Sequence, residues 1–127
     1  MLKKTITYTD YNGETRTEEF YFNLNKAELL EMDMSIDGGM EAFINKIAST
    51  QDKPTLIKLF KEIILKAYGE KSLDGKYLDK SEELSRKFSH TEAYSVLFME
   101  LATSDEAAAL FINGIIPQDV RVQPVNK

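Results

Sequence analysis

The stretch from Ser89 to Pro117 constrains the fold more than any other part of the sequence. It contains two consecutive segments in which apolar residues recur at positions i, i+3, i+4 and i+7, the period of one face of an α-helix. Ser89 with Glu92, and Thr103 with Glu106, fit capping boxes that would start the two helices. Neither apolar stripe can remain in water, so the pair must cover a core that the rest of the chain supplies. The stripes consist of Tyr94, Leu97, Phe98 and Leu101 in the first segment and of Ala107, Leu110, Phe111 and Ile115 in the second.

Residues 2–22 are predicted to form a β-hairpin. Between Leu2 and Thr9 the side chains alternate between two faces, one of which is rich in threonine. The segment Asp10–Gly13 supplies the reversal, because Asn-Gly is suited to positive φ angles. The aromatic triplet Phe20–Phe22 marks the point at which the hairpin meets the helical body. A two-stranded sheet alone is only marginally stable, so the hairpin must pack on helices or pair with another chain. Its polar threonine face favours a homo-oligomer through the hairpin edge.

Three helices are predicted between the hairpin and Gly69. Asn25 with Glu28 fits an N-cap for the first helix, and residues 40–47 carry a second apolar stripe. The clearest helix covers residues 56–67, where apolar residues hold the helical period for three turns. Gly69 is expected to end this helix as its C′ residue.

The next stretch, residues 70–80, is the most loop-like part of the interior of the chain. The pair Asp74-Gly75 predicts either a tight turn or a very small hairpin. Asp79 with Glu82 then starts one more short helix before the Ser89–Pro117 pair.

The fold class predicted from these elements is α+β, mainly α. An N-terminal β-hairpin over residues 2–22 precedes a body of about five to six short helices over residues 25–116. The length of 127 residues predicts one domain, residues 1–117. Residues 118–127 are polar and aperiodic, and they are predicted to be a flexible tail.

Composition excludes several classes of function. The formal net charge of −5 and the absence of a basic stripe argue against nucleic-acid binding. The chain contains no cysteine, which excludes disulfides and thiolate chemistry. No apolar run approaches the roughly 20 residues needed to span a membrane, and no apolar block that would make a secretion signal follows the first lysines. The expected location is the cytoplasm.

No catalytic, cofactor or metal site is predicted. Residues 33–38 begin like an EF-hand calcium loop, but position 12 of that loop is Ile44, where a bidentate glutamate is needed. His90 is the single histidine, and it is interpreted as a surface residue at the start of a helix. Adjacent glutamates such as Glu82 and Glu83 do not face each other on a helix, so they do not form an acid–base pair.

The end of the last predicted helix is the candidate site for binding a partner. Four large apolar side chains follow one another around it, and one face of a terminal helix should not bury all four. Ile112 and Ile116 are therefore expected to lie on the outward side and to contact a partner chain. Apolar stripes at helical spacing are more often core, and that alternative stays open. The candidate partner-binding residues are Phe111, Ile112, Ile115 and Ile116.

Three segments, residues 3–32, 57–89 and 88–117, are similar to tail assembly chaperones of long-tailed, siphovirus-type phages and prophages of Gram-positive bacteria. The resemblance implies a non-catalytic morphogenesis factor of the host cytoplasm, made together with a longer product of ribosomal frameshifting. Many copies would coat the tape measure protein, and the longer product would engage the major tail tube protein. The chaperone would leave as the tube polymerises and be absent from the mature virion.

Two other non-catalytic functions remain open at this stage. One is a small adaptor that binds a phage or host regulator through the hairpin edge. The other is a structural tail-completion protein that stays in the virion. No residue motif in the sequence separates these alternatives from a chaperone.

Overall fold

Strands and helices fill most of the part of the chain that the computed structural model describes, residues 1–35 and 53–117. The strands in the described residues are β1 (Leu2–Thr9), β2 (Thr15–Phe22), β3 (Tyr68–Lys71) and β4 (Leu78–Asp79). The helices in the same residues are α1 (Lys26–Ser35), α2 (Lys53–Ala67), α3 (Glu82–Ser89), α4 (Glu92–Thr103) and α5 (Asp105–Ile115). This architecture confirms the predicted α+β class with an N-terminal hairpin and a mainly helical body. The helix predicted over residues 40–47, most of the calcium-like loop and the tail 118–127 lie outside the described residues.

The N-terminal hairpin has the predicted alternation and the predicted turn. β1 and β2 pair antiparallel, with Leu2 opposite Phe22 at one end and Thr9 opposite Thr15 at the other. In the turn, the Asp10 carboxylate accepts hydrogen bonds from the backbone N–H groups of residues 12 and 14, at 2.9 Å each. Gly13 has a φ of 84°, which explains why glycine follows asparagine here.

A second hairpin, one of the two alternatives predicted for residues 70–80, extends the sheet, and this extension was not predicted. β3 and β4 pair antiparallel around a turn in which Gly75 has a φ of 78°, and β3 also pairs with β2. The described strands form one sheet in the order β1-β2-β3-β4. The prediction that Gly69 ends a helix is wrong, because it lies inside β3. A Cβ atom at Gly69 would come within 2.6 Å of the Leu78 side chain, so its role is close approach between strands.

The core lies between the inner face of the sheet and the helices. Phe22 is fully buried, and its ring centroid is 5.9, 5.8 and 5.3 Å from those of Tyr68, Phe88 and Phe111. Tyr68 also stacks on Phe88 at 4.2 Å with parallel planes. These rings belong to β2, β3, α3 and α5, so one aromatic cluster joins the sheet to both the middle and the end of the chain.

Backbone hydrogen bonds join the residues that follow β2 to the ends of two helices. Leu24, which follows β2, donates its N–H to the carbonyl of Ile115 at 2.7 Å, and Asn23 donates to Ala67 at 2.9 Å. The exit of the hairpin is therefore tied to the C-terminal ends of α2 and α5. Those carbonyls have no partner within their own helices, so the bonds satisfy groups that would otherwise need water.

Two predicted helix starts have different outcomes. Asn25 and Glu28 form a reciprocal capping box for α1, with both hydrogen bonds at 2.8 Å, as predicted. The start predicted at Asp79 is wrong, because Ser81 caps α3 by accepting from Leu84 N–H at 3.0 Å. Asp79 lies in β4, where it pairs with Glu70 of β3.

Substitution of Phe22 tests the aromatic cluster. Phe22→Ala removes the ring that contacts three others, and we expect the free energy of unfolding to fall by about 3–5 kcal/mol. Leu73→Ala is the control, because Leu73 is fully exposed at the tip of the second hairpin, and it should change stability by less than about 0.5 kcal/mol. Urea unfolding followed by circular dichroism measures both. Equal effects of the two substitutions would contradict this account of the core.

The pH dependence of unfolding tests the burial of Tyr68. Burial, with a smaller effect of the Glu70 carboxylate, raises the pKa of Tyr68 from 10.0 to about 12. In the unfolded chain the phenol loses its proton near pH 10, whereas in the folded chain it keeps it until near pH 12. Its contribution to stability is thus complete below about pH 10 and is lost as the pH rises towards 12. Unfolding of Tyr68→Phe should show a shallower loss over this interval; an unchanged slope would refute the assignment.

Candidate partner-binding surface

Helix α4 is fixed by its cap and by contacts to the N-terminal hairpin. Thr91 caps it by accepting a hydrogen bond from Tyr94 N–H at 3.1 Å. The predicted cap, Ser89, is wrong: its hydroxyl donates to the carbonyl of Arg86 at 2.7 Å and so belongs to the end of α3. A serine followed three residues later by glutamate therefore occurs here without forming a capping box.

Helix α5 begins immediately after α4 through a single shared residue, Ser104. Ser104 is the C-cap of α4, and its side chain accepts from Ala107 N–H at 3.1 Å as the N-cap of α5. The predicted cap, Thr103, is again wrong, because its hydroxyl donates to the Met99 carbonyl at 2.7 Å. The one-residue link forces the two helices to turn sharply against each other.

Both helices lie on the inner face of the hairpin. Lys4 Nζ in β1 is 3.0 Å from Glu100 Oε2 in α4, and the hydroxyl of Tyr11 in the turn donates to Glu92 Oε2 at 3.1 Å. Helix α4 therefore runs along β1 in the opposite direction. The hydrogen bond to the Glu92 carboxylate raises the pKa of Tyr11.

The end of α5 packs against the start of the same strand. A Cβ atom at Gly114 would come within 3.0 Å of the Leu2 side chain, so the helix approaches β1 closely. Leu2 and Lys4 are on the same face of β1. The sides of α4 and α5 that are turned away from the sheet thus belong to one helical layer that faces solvent.

The predicted partner-binding residues are all buried. Phe111, Ile112, Ile115 and Ile116 have exposed fractions of 3%, 3%, 0% and 1%. The expectation that Ile112 and Ile116 lie on the outward side is therefore wrong. Ile116 follows the last helical residue in an extended conformation, and α5 buries a broad face that includes Ala108. Whether a partner ever reaches any of the four stays a prediction, since in the single chain they are part of the core.

Within α4 and α5, the large apolar residues that do face solvent lie on the other side of the helices. Val96 and Met99 in α4 are 42% and 55% exposed, and Leu110 in α5 is 72% exposed. We call these three residues the outer helical face. The prediction that Leu110 belongs to the core stripe is wrong, because the buried side of α5 consists of Ala108, Phe111, Ile112 and Ile115, and Leu110 lies opposite to it.

The outer helical face could not be predicted from the sequence, because α4 has apolar residues on more than one side. Val96 and Met99 are three residues apart, on the side of the helix opposite the buried Ala93, Leu97 and Leu101. A helix with apolar residues on two opposite sides shows a weak helical period. The sequence pattern therefore predicted only the buried side of α4. Solvent-facing apolar residues on a helix that already packs on a core are candidates for contact with another molecule when they lie close together.

The two helices that carry the outer helical face contain acidic residues and no basic ones. The segment 92–115, which contains both helices, has four acidic residues and no lysine or arginine. Two of the acids, Asp105 and Glu106, form the first turn of α5. An apolar surface with a negative border can hold an apolar polypeptide and is suited to basic groups beside it.

A different kind of site is offered by a groove between α1, α2 and α3. Its volume is about 680 Å³, and charged residues of both signs line it, including Glu28, Lys61 and Lys80. Lys80 pairs with Glu28 at 2.7 Å and also donates to the Asn23 carbonyl, so the central charges satisfy each other. Within residues 1–35 and 53–117, no group of three or more His, Cys, Asp or Glu side chains could hold a metal ion.

Comparison with known families decides what class of protein carries this surface. The family model for phage tail assembly chaperones matches residues 1–126. The chain belongs to the phage tail assembly chaperone family. The resemblance of the three sequence segments is thereby confirmed at the level of the family. Searches among curated proteins and among solved structures returned no match.

Membership of this chaperone family indicates a role in phage tail assembly, with protein partners in that process. It also favours a non-catalytic role. Within the described residues, no helix of the chaperone is long and apolar enough to cross a membrane. In residues 1–35 and 53–117, the outer helical face is a candidate surface for the binding of another polypeptide.

Substitution of the shared cap tests how the helical layer is held. Ser104→Ala removes the acceptor for the Ala107 N–H, and we expect a loss of about 1 kcal/mol in the free energy of unfolding. Thr103→Ala changes the adjacent hydroxyl, which does not cap α5, and should cost less than about 0.5 kcal/mol. Thermal and urea unfolding compare the two variants. A larger loss of stability for Thr103→Ala than for Ser104→Ala would contradict the assignment of Ser104 as the N-cap and support Thr103 instead.

Proposed function

We propose that this chaperone shields the tape measure protein of a siphovirus-type phage or prophage of a Gram-positive bacterium until tail tube subunits assemble around it. The observation that carries the proposal is the outer helical face: Val96, Met99 and Leu110 expose apolar side chains on a helical layer whose other side is already packed. A tape measure protein is a very long helical polypeptide, and its apolar stripe has to be kept from aggregating before the tube encloses it.

Weak binding by many copies suits this task. Three exposed apolar side chains give a small contact, far below the roughly 800 Å² per partner of a stable interface. Each copy would therefore bind weakly and leave readily, while many copies along one polypeptide would keep it covered. The formal net charge of −5 on each copy would keep such a crowded complex soluble.

The further steps of this proposal concern partners of the chaperone. A longer frameshifted product would recruit the major tail tube protein, and growth of the tube would displace the chaperone. On this proposal the chaperone acts in the cytoplasm of the bacterial host and is absent from the mature virion. Mass spectrometry of purified particles distinguishes it from a structural tail-completion protein, which would remain.

An open sheet edge supports self-association as an additional part of the proposal. β1 is the first strand in the sheet order, and within the described residues only β2 pairs with it. Its outer edge thus offers backbone N–H and C=O groups to another strand, and a second copy is the proposed occupant. The same edge favours the alternative function, a small adaptor that binds a regulatory protein by adding a strand to it.

Co-expression with a tape measure fragment tests the proposed function. The full-length chaperone should raise the soluble fraction of the fragment severalfold. The double variant Met99→Glu/Leu110→Glu should lose most of this effect, because it places charges on the outer helical face without touching the core. Leu73→Glu is the control, since it puts one such charge on an exposed leucine at the tip of the second hairpin and should retain the effect.

Both variants should keep the circular dichroism spectrum and the unfolding midpoint of the unmodified chain. The proposal is contradicted if the fragment stays insoluble with the unmodified chaperone. It is also contradicted if the double variant solubilises the fragment as well as the Leu73→Glu control does.

A further inference from the structure

We infer that the outer helical face binds an amphipathic helix whose apolar stripe is bordered by lysine or arginine residues. The inference rests on the proposed function, because such a helix would be a segment of the shielded polypeptide. It adds the charge pattern that the segment must have, which the apolar contact alone does not specify.

The first support is the one-sided charge of the helical layer. Segment 92–115 contains four acidic residues and no basic residue, whereas the whole chain has 16 lysine and arginine residues against 21 acids. A surface without a special charge requirement would be expected to mix the signs, as α3 does with Glu83 paired to Lys87. The acidic residues are Glu92, Glu100, Asp105 and Glu106.

The second support is that part of this negative charge is not neutralised within the described residues. Glu100 is paired with Lys4, and Glu92 accepts a hydrogen bond from Tyr11. Asp105 and Glu106 are exposed, and neither forms an ion pair with a residue in the described part of the chain. Their position in a first turn also stabilises α5 through the helix dipole, which accounts for acids at this point but not for the absence of bases elsewhere on the layer.

The third support is the arrangement of apolar and acidic residues on the helices. Glu92, Val96 and Met99 fall at spacings of four and three along one side of α4, and Glu106 lies four residues before Leu110 on α5. A helix laid on this layer would meet apolar side chains together with carboxylates at their ends. Lysine or arginine beside its apolar stripe would face those carboxylates.

The charge also selects against other occupants. A second copy that docked through its own outer helical face would bring carboxylates against carboxylates, which disfavours association. Acidic amphipathic helices are disfavoured for the same reason. The negative charge of the layer therefore favours a basic polypeptide over a second copy of the chaperone as the bound partner.

Three synthetic helical peptides with one identical apolar stripe test the inference on the full-length chain. Their bordering residues are Lys and Arg, Gln, or Glu, and binding is measured by fluorescence anisotropy at low and high salt. The basic peptide should bind about tenfold more tightly than the Gln peptide, the effect of a few exposed ion pairs, and the Glu peptide should bind most weakly. The difference should shrink at high salt, because exposed charges are screened.

A matched pair of variants locates the effect. Asp105→Asn/Glu106→Gln should reduce the preference for the basic peptide at least threefold, since it removes the two carboxylates that form no ion pair within residues 1–35 and 53–117. Glu82→Gln/Glu83→Gln is the control, because it removes two negative charges from the first turn of α3, outside α4 and α5, and should leave the preference unchanged.

The outcomes separate this inference from the proposed function. Equal binding of the three peptides, or no binding of any, overturns the inference, while solubilisation of a tape measure fragment in the co-expression experiment would still support the function. Preference for the basic peptide without solubilisation of the fragment supports the charge pattern and counts against the function. Light scattering that shows a dimer, lost in Met99→Glu, would mean that a second copy occupies the surface and would overturn the inference.

Discussion

The contact of the Phe22 ring with three other aromatic rings joins parts of the chain that are far apart in sequence. Phe22 ends the first hairpin, Tyr68 begins the second, and Phe88 and Phe111 come from two different helices. The hairpin alone would be marginally stable, and the short helices would be marginal as well. Each of these elements is stabilised because it contributes to this cluster, so the position of the helices on the sheet follows from where the rings meet.

The same arrangement separates the residues that hold the fold from those that can contact a partner. Helices α4 and α5 use one side to close the core and leave the other side to solvent. Phe111 and Ile115 belong to the first side, and Met99 and Leu110 belong to the second. A chaperone built in this way can change its contact surface without changing its core, because the two sets of residues do not overlap.

The N-terminal hairpin could be predicted from the sequence because its signals are local. Alternation along β1 and the Asn-Gly turn depend only on neighbouring residues. The four-stranded sheet could not, since β3 follows α2 directly, without a turn residue between Ala67 and Tyr68. The chain changes from helix to strand there because β2 offers an edge, and that edge is distant in sequence.

The exposed residues of the candidate site could not be predicted from the sequence for a different reason. Periodicity identified Phe111, Ile112, Ile115 and Ile116 as too many apolar residues for one helix face, but it could not show that the C-terminal end of α5 packs where the chain leaves the first hairpin. The hydrogen bond from Leu24 to Ile115 and the extended conformation at Ile116 make that burial possible. Predicting the exposed set, Val96, Met99 and Leu110, needed the packing of the layer, because exposure depends on what covers a residue.

Methyl NMR of the complex tests most directly the claim that binding and folding use opposite sides of the same helices. The chaperone is labelled at its Ile, Leu, Val and Met methyl groups and mixed with an unlabelled tape measure fragment. Intermolecular contacts should appear at Val96, Met99 and Leu110 and should be missing at Ile112 and Ile115. Contacts at the two isoleucines with none at the outer helical face would contradict the account.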